Sequence, residues 1–294
     1  MKKNSKIALL GGDRRQTAVG RRLAEAGLDV RAWRVAADGD SRSRFTVYDS
    51  INEALYGCDA VVLPFPAACA SGNISCPMAD GDDFPINELT EHIGKDCRIF
   101  GGKLPPSFKE SARCAGAEVT DYFESEEVQI KNAVLTAEGA ISLAICETDF
   151  ALWNSECAVL GFGRIGKILS DRLHKLGASV TVCARKSADI TWAQALGYSA
   201  KRICFENGVS SVASVCADSD IVFNTVPYWL LDESVLKCTD RSTLIIDLAS
   251  APGGTDINAA QKYGIRVIRA LALPARYSPV TAGNVIGDFI IGSL

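Results

Sequence analysis

The sequence predicts an α/β protein built from two parallel sheets. Short apolar runs that end at a glycine or a turn alternate along the chain with amphipathic helical patterns, which is typical of α/β domains. The alternation occurs twice, with five strand candidates in each half. Since the chain has 294 residues, each half is long enough to bury a core of its own. We therefore expect two Rossmann-like domains of related topology.

The strand candidates correspond between the halves in order and in detail. Those of the first half are KIALL (6–10), DVRAW (29–33), DAVVL (59–63), CRIF (97–100) and EVTDYF (118–123). Those of the second half are CAVL (157–160), SVTVC (179–183), DIVFN (220–224), TLIID (243–247) and IRVIRA (265–270). IALLGG at 7–12 resembles AVLGFG at 158–163, and DAVVLPFP at 59–66 resembles DIVFNTVP at 220–227. The matching details indicate a duplicated architecture.

The segment between the halves predicts the domain boundaries. Residues 126–153 carry a long helical pattern with interruptions near Thr136 and Gly139. We expect a first domain over 1–135, an interdomain helix over 136–153 and a second domain over 154–277. The segment 278–294 begins with Ser-Pro and then has an apolar helical period, and we expect it to return to the first domain and complete it.

Composition excludes several classes of protein. Lys and Arg number 31 against 35 Asp and Glu, for a net charge of −4, so a general nucleic-acid or membrane-surface binder is not expected. The N-terminal lysines lead directly into a strand candidate, and we expect a cytoplasmic protein. The 11 cysteines form no C-x-x-C pair, so reduced packing thiols and no metal site are expected. His92 and His174 lie within helical patterns, which leaves no well-placed histidine base.

A glycine fingerprint identifies a dinucleotide site in the second half. It consists of Gly161, Phe162, Gly163, Arg164, Ile165 and Gly166, directly after the strand CAVL and before a helical pattern. Gly161 permits the tight turn, Gly163 lets the pyrophosphate approach the backbone, and Gly166 lets helix and strand pack closely. The amides at the helix N-terminus then bind the phosphates.

The end of the next strand predicts which nicotinamide cofactor is used. An NAD-binding protein usually has an acidic residue there, which binds the ribose 2′-hydroxyl. This chain has Ala184, Arg185, Lys186 and Ser187 instead. Because the two cations attract a 2′-phosphate, we predict NADP(H) over NAD(H).

Later strand ends should border the same cofactor. Parallel strands present their ligand-binding edge where they end, so we expect these residues to lie near the ribose and nicotinamide. They are Asn224, Thr225, Val226 and Pro227 after one strand and Asp247, Leu248 and Ala249 after the next.

The equivalent turn of the first half, GGDRRQ at 11–16, lacks the fingerprint spacing. It should not hold a second dinucleotide. Its arginines and helix amides suit a substrate that carries carboxylates, and the alternative is a capped helix with solvated arginines.

Six segments together resemble the family of dipicolinate synthase A-subunits. They are IALLGGDRRQ (7–16), TAEGAISLAICETD (136–149), VLGFGRIGK (159–167), CARKS (183–187), LIIDLASAPGGTD (244–256) and LPARYSPVTAG (273–283). The resemblance implies an NADP-dependent oxidoreductase of the mother cell of a sporulating bacterium, which works with the flavoprotein-like B-subunit of dipicolinate synthase and converts dihydrodipicolinate to dipicolinate. It implies a flavodoxin-like N-terminal domain and an NADP-binding Rossmann domain, related to D-2-hydroxyacid and alanine dehydrogenases.

The resemblance also implies a set of substrate-site residues. They are Gly12, Asp13, Arg15 and Gln16 in the first turn, with Thr136, Glu138, Gly139, Ser278 and Thr281. Relatives read L-P-G-L-P-G where this chain has residues 271–276, so Arg276 is an additional candidate cation for substrate. Asp13, Glu138 and water remain alternatives as proton acceptor, and no catalytic residue is assigned.

Two other functions remain open at this point. One is an alanine-dehydrogenase-like oxidoreductase that acts on another amino or keto acid. The other is a nucleotide-binding protein without chemistry of its own, which serves the flavoprotein partner. The sequence also leaves open whether the chain forms a homo-oligomer.

Overall fold

The computed structural model describes residues 5–36, 44–81, 83–94, 96–206 and 209–294. The chain divides into two compact units, Met1–Lys131 with Ser278–Leu294, and Asn132–Tyr277. The boundary at Lys131 falls inside a helix, α4 (Glu126–Glu147), and not in a loop. The interruptions expected near Thr136 and Gly139 were wrong, because α4 runs through both positions as one helix.

The first unit is a parallel sheet with helices. Its elements are β1 (Lys6–Leu10), α1 (Arg14–Glu25), β2 (Asp29–Trp33), β3 (Thr46–Tyr48), α2 (Ile51–Leu55), β4 (Ala60–Val62), β5 (Arg98–Gly101), α3 (Pro106–Cys114) and β6 (Glu118–Asp121), with 3₁₀ turns at Ile86–Glu91 and Tyr122–Glu124. The sheet order among the described residues is β3-β2-β1-β4-β5-β6. The short edge strand β3 was not expected. Without it the order is that of a flavodoxin-like sheet, and with it the order is that of the Rossmann fold.

The C-terminal helix α11 (Pro279–Ser293) belongs to this first unit and packs along α1. Two of its glycines lie against α1 so closely that a side chain would not fit. A Cβ atom on Gly283 would lie 2.5 Å from the Cβ of Ala18, and one on Gly287 would lie 2.8 Å from Cγ of Arg22. Arg22 also pairs with Asp288 at 2.6 Å.

The second unit has the same strand order. Its elements after α4 are β7 (Glu156–Leu160), α5 (Arg164–Lys175), β8 (Ser179–Ala184), α6 (Ser187–Ala195), β9 (Ser199–Arg202), β10 (Phe205–Glu206), β11 (Val209–Ser210), α7 (Val212–Ala217), β12 (Ile221–Asn224), α8 (Glu233–Leu236), β13 (Leu244–Asp247), α9 (Ile257–Tyr263), β14 (Arg266–Arg269) and α10 (Leu273–Tyr277). The parallel sheet runs β9-β8-β7-β12-β13-β14, which is the Rossmann order, and β10 and β11 form a separate antiparallel hairpin.

The central strands of both sheets are buried on both faces, as parallel strands usually are. Their registers bring the strand ends to one edge, because Leu160 pairs with Cys183 and Asn224 pairs with both Leu160 and Asp247. In a sheet of this order, ligands bind outside the carboxyl ends of the neighbouring strands β7 and β12, where the strand order reverses. No helix of the described residues is long and apolar enough to cross a membrane.

Candidate functional site

The glycine turn of the second unit connects β7 to α5, and its glycines meet different surroundings. Gly161 has a φ of +96°, and a Cβ atom there would lie 3.0 Å from Cγ2 of Val226. A Cβ on Gly166 would lie 2.9 Å from the carbonyl carbon of Gly161, so helix and turn pack backbone to backbone. A Cβ on Gly163 would meet nothing within 4 Å. The open side of Gly163 is the space that a pyrophosphate needs.

The first turn of α5 has amides to offer at this position. Gly163 is the N-cap, and within the described parts of the chain no side chain caps the helix. Helix N-terminal amides carry partial positive charge and bind phosphates when nothing else occupies them. The turn therefore fits a dinucleotide in its backbone path, its glycine positions and its uncapped helix.

A cavity of about 620 Å³ lies beside this turn, within the second unit. Arg185 and Lys186 line it, and both side chains are exposed. Asp189, from the first turn of α6, lines the same cavity and adds one negative charge that the sequence analysis did not consider. The remaining lining residues are Gly161, Phe162, Ala184, Ile203, Phe205, Val226, Pro227, Tyr228 and Leu230. Val226 and Pro227 thus share a cavity with the two cations.

Two aromatic side chains on the cavity wall are largely exposed. Phe205, on the β10–β11 hairpin, is 53% exposed, and Tyr228, just after Pro227, is 64% exposed. An aromatic ring that is open to solvent at a cavity offers a face on which a nucleobase can stack. Sequence reasoning missed both residues. Tyr228 directly follows Pro227 in the loop after β12, which is a usable signal, whereas Phe205 lies in a short stretch without any periodic pattern.

Asn224 and Asp247 were expected to contact the cofactor, but their side chains form hydrogen bonds within the protein. Both are buried, and Asn224 Nδ2 donates to Asp247 Oδ1 at 3.0 Å. Asn224 Oδ1 accepts from the amide of Val226, and Asp247 accepts from the amides of Ala249 and Gly254. Because these bonds use the side-chain polar atoms, the pair positions the two loops and does not reach outward as predicted.

The neighbouring predicted residues also serve the fold. Thr225 Oγ1 donates to the carbonyl of Leu160 at 2.8 Å, which ties β12 to the glycine turn. Leu248 and Ala249 are buried, and Ile165 packs against the core. Ser187 is exposed at the first position of α6, next to Lys186.

The glycine turn of the first unit is closed. The amide of Gly12 donates to Ser75 O at 2.7 Å, whereas the amide of Gly11 donates to Trp33 O at 2.9 Å as that of Gly161 does to Cys183 O at 2.8 Å. Asp13 caps α1, and its Oδ1 accepts from the amide of Arg15 at 2.9 Å. A carboxylate therefore already occupies the helix N-terminus where the other unit has a bare glycine. The expectation that this turn holds no dinucleotide stays a prediction.

Arg15 and Asp13 form a two-pronged ion pair. Arg15 Nε donates to Asp13 Oδ1 at 2.9 Å, and Nη2 donates to Oδ2 at 2.7 Å and also to the carbonyl of Phe65. Among the described residues Nη1 has no hydrogen-bond partner. The arginine was predicted as a solvated or substrate-binding group, and its side chain is only 8% exposed. Asp13 fixes the guanidinium, so the two residues act as one group.

Gln16 does not face a ligand as the family resemblance implied. Its Nε2 donates to the carbonyls of Leu10 and Val62 at 3.3 and 3.0 Å, and the residue is 2% exposed. The side chain therefore ties α1 to the strands β1 and β4.

The other residues implied by the resemblance are divided between the units. In the second unit, Thr136 donates to Asn132 O, Glu138 pairs with Arg172 at 2.5 Å, and Gly139 packs on Leu273. Arg276 is exposed, with its guanidinium over the Tyr277 ring. In the first unit, Ser278 is the N-cap residue of α11, its buried hydroxyl has no hydrogen-bond partner among the described residues, and Thr281 is exposed.

The two histidines and the metal-ligating residue types form no further candidate site in the described part of the chain. His92 and His174 are exposed and lie edge-on to Phe84 and Tyr198. Over the described ranges, no three His, Cys, Asp or Glu side chains come together as a metal site.

Comparisons with known proteins give matches in both halves of the chain. Residues 6–123 match the family model of the N-terminal domain of the dipicolinate synthase A-subunit, and 156–251 match that of the coenzyme F420-dependent NADP oxidoreductases. The dipicolinate synthase A-subunit of Bacillus subtilis (strain 168) is 33% identical over 287 residues, which is 97% of this chain and 94% of that protein.

Solved structures are similar over the whole chain. The crystal structure of the dipicolinate synthase A chain from Bacillus subtilis matches with a TM-score of 0.85 and 30% identity, covering 100% of this chain and 96% of that one. The A-subunit of the synthase from Bacillus halodurans gives 0.85 and 26%, covering 99% and 98%. An L-alanine dehydrogenase, at 14% identity and a TM-score of 0.65 over 98% of this chain and 88% of that one, shares the fold.

Proposed function

The chain belongs to the family of dipicolinate synthase A-subunits, and on that premise we propose that it oxidises dihydrodipicolinate to dipicolinate with NADP⁺. The observation that carries the proposal is the 33% identity along 97% of the chain, which includes both glycine turns. The proposal places the reaction in the mother cell of a sporulating bacterium, with the flavoprotein-like B-subunit of the synthase as partner.

Several features of the second unit support a nicotinamide dinucleotide as the bound group. Gly163 leaves open space at an uncapped helix, and Gly161 and Gly166 occur where no side chain fits. When bound, NADP⁺ supplies the hydride acceptor. We assign the phosphates to the α5 amides and the 2′-phosphate to Arg185 and Lys186, which line the adjoining cavity.

A titration tests the cofactor preference. We expect the wild-type protein to bind NADPH at least tenfold more tightly than NADH, and Arg185→Ala to remove most of that difference because one charged contact is lost. Arg241→Ala, an exposed arginine that does not line the cavity, is the matched control and should leave it unchanged. Tighter binding of NADH by the wild type, unchanged in Arg185→Ala, would contradict the assignment. Because the negative charge of Asp189 lines the same cavity and opposes the two cations, the affinities for NADPH and NADH both have to be measured directly.

The reaction needs positioning more than strong acid or base chemistry. Dihydrodipicolinate loses a hydride to NADP⁺ and a proton to a base, and the products are dipicolinate, NADPH and H⁺. Formation of an aromatic ring favours this direction, so the protein mainly has to hold the ring and its carboxylates. Arg15, fixed by Asp13 and with Nη1 available, is our choice for one substrate carboxylate, and Arg276 remains a candidate on the second unit.

Arg15→Ala separates substrate binding from cofactor binding. The Michaelis constant for dihydrodipicolinate should rise about tenfold or more, because a charged hydrogen bond is lost, while the NADPH dissociation constant stays the same. Arg113→Ala, an exposed arginine on α3, is the control. An equal loss of substrate and cofactor binding in Arg15→Ala would contradict this division.

Reconstitution tests the reaction itself. Purified protein with NADP⁺ and enzymatically generated dihydrodipicolinate is assayed for NADPH and dipicolinate, with and without the B-subunit. Product formed by this chain supports the proposal. Oxidation of alanine or another amino acid instead would identify an alanine-dehydrogenase-like enzyme. Nucleotide binding without turnover, even with the B-subunit, would indicate a protein that only binds nucleotide.

A further inference from the structure

Two phenyl rings form a stack at the carboxyl edge of the first sheet. Phe65 follows β4 and Phe123 follows β6, and their ring centroids lie 4.3 Å apart with 25° between the ring planes. Gly102, directly after β5, makes room for Phe65 and for Tyr122, the residue before Phe123. A Cβ atom on this glycine would lie 2.6 Å from Cδ2 of Phe65 and 2.6 Å from Cε2 of Tyr122.

Two cations lie against this stack. The Cζ of Arg15 is 5.1 Å from the Phe65 centroid, and the Nζ of Lys103 is 5.6 Å from the same centroid. Lys103 Nζ is also 5.7 Å from the centroid of Phe123. These distances are within the range of cation–π attraction, which holds both charges beside one aromatic surface.

Lys103 is exposed, and its ammonium has no acidic partner among the described residues. Lys109, six residues later, shows the contrast, because it pairs with Asp121 at 3.2 Å and Glu124 at 2.5 Å. Arg15 has already been matched by Asp13. A ligand with two negative charges would therefore meet one fixed guanidinium and one unmatched ammonium.

The backbone at Lys103 is held in an unfavourable conformation. Its φ is +52°, which L-residues rarely adopt, and the amides of Lys103 and Leu104 donate to the two oxygens of Asp121 at 3.1 and 2.9 Å. Strained residues that the surroundings hold firmly are found most often at functional sites. Asp121 thus fixes the backbone from which the Lys103 side chain extends.

We propose that Phe65, Phe123, Arg15 and Lys103 form a subsite for a planar ring with two carboxylates. The substrate class rests on the proposed function. Arg15 Nη1 takes one carboxylate, Lys103 takes the other, and the face of the ligand ring packs on the phenyl surface. Lys103 is thereby the residue that distinguishes a dicarboxylate from a monocarboxylate.

Calorimetric binding of dipicolinate and of picolinate, which has one carboxylate, tests the subsite on the full chain with and without NADP⁺. We expect the wild type to prefer dipicolinate. Lys103→Met should weaken dipicolinate binding about 10- to 100-fold and leave picolinate within about twofold, as for loss of one charge-assisted hydrogen bond. Lys103→Arg should keep the preference. Lys131→Met, a lysine paired with Glu127, is the matched control and should behave as wild type.

The outcomes separate the subsite from the proposed function. An unchanged preference in Lys103→Met overturns the subsite, even if the wild type oxidises dihydrodipicolinate. A Lys103-dependent preference without any turnover supports the subsite and contradicts the function. A wild type that binds neither acid also overturns the subsite. Unchanged NADPH affinity and thermal midpoint in Lys103→Met exclude misfolding as the cause of any loss.

Discussion

At the scale of single residues, the glycines of the β7–α5 turn differ in how closely the protein packs around them. Gly166 is required by packing, since a Cβ there would collide with the Gly161 backbone. Gly163 faces open space, and its φ of −80° is accessible to any residue. The same motif therefore contains one glycine that packing requires and one that packing does not require.

Two alanine variants test this distinction. Gly166→Ala should lower the free energy of unfolding by about 2–3 kcal/mol, because the backbone of Gly161 has no space into which to move. Gly163→Ala should lower the free energy of unfolding by at most about 1 kcal/mol, which is the effect of an altered N-cap. It should nevertheless weaken NADPH binding about tenfold or more, because a methyl group would stand where the phosphates approach the amides. Denaturant unfolding and fluorescence titration measure the two effects, and a Gly163→Ala protein with normal affinity would contradict the phosphate assignment.

A buried thiol in the same unit makes stability depend on pH. Cys183, on β8, is fully buried, and burial raises the pKa of its thiol from the ordinary value of 9.0 to about 12. The unfolded thiol ionises near pH 9 and the folded one does not, so the native state loses relative stability between about pH 9 and 12.

The contribution of Cys183 can be isolated by substitution. In this alkaline range, the free energy of unfolding of Cys183→Ala should fall less steeply than that of the wild type, by about 1.4 kcal/mol per pH unit, the value for one proton. Cys114→Ala, which changes an exposed thiol, should keep the wild-type slope. Chemical unfolding at several pH values gives the slopes, and equal slopes for Cys183→Ala and wild type would show that the thiol ionises alike in both states.

At the scale of elements, burial decided which strands the sequence revealed. The central strands are apolar runs because both of their faces are covered, and their positions were predicted within about a residue or two. The edge strands β3 and β9 were missed. Thr46 and Val47 are exposed, as is most of SAKR, so neither strand has an apolar run to detect.

Helix α4 and the site show other limits of local reasoning. The interruption predicted at Gly139 is absent, and close packing against Leu273 explains a glycine in a continuous helix. The glycine turn was predictable because its chemistry is contained in six adjacent residues. Asn224 and Asp247 were not, because a polar residue at a strand end has the same pattern whether it faces a ligand or a loop. Phe65, Lys103 and Phe123 meet only through the sheet order.

The β10–β11 hairpin carries a prediction of its own. If Phe205 and Tyr228 contact the nucleobase, replacing either with alanine should weaken NADPH and NADH binding alike, by about tenfold, which is a typical value for one base–aromatic stack. Arg185→Ala, by contrast, should change the ratio of the NADPH affinity to the NADH affinity. Trp192→Ala is the control, since this exposed aromatic residue on α6 does not line the cavity. Titration of both cofactors decides, and an unchanged affinity in both variants would place the nucleobase elsewhere.

At the scale of the whole molecule, the two units have the same strand order but differ in how the helix after the first strand is capped. In the second unit the helix begins at a bare glycine beside a cavity with two cations. In the first unit Asp13 caps the helix, and the carbonyl of Ser75 accepts from the amide of Gly12. The same architecture thus leaves one helix terminus available to phosphates and closes the other. In the first unit two charged side chains of the turn, Asp13 and Arg15, pair with each other.

The first unit also depends on the far end of the chain. Helix α11 packs on α1, the helix that begins with the Arg15 turn, through glycines that leave no room for side chains. The closest atoms around Gly283 are the carbonyl of Arg15, the Cβ of Ala18 and the amide of Val19, all in this unit. A larger residue there would therefore force α11 away from α1 and should act on the first unit alone.

Gly283→Val tests this dependence. We expect a loss of about 2–3 kcal/mol in the stability of the first unit, as for overpacking of a closed interface. Hydrogen exchange should show faster exchange in α1, β1 and β2, while the amides of β7 and β8 keep their protection and NADPH still binds. Gly292→Val is the matched control on the same helix, because a Cβ there meets nothing within 4 Å, and it should exchange as the wild type does. If Gly283→Val weakened β7 and β8 as much as β1, the two units would unfold as one, and the C-terminal helix would stabilise the whole chain instead of its first unit.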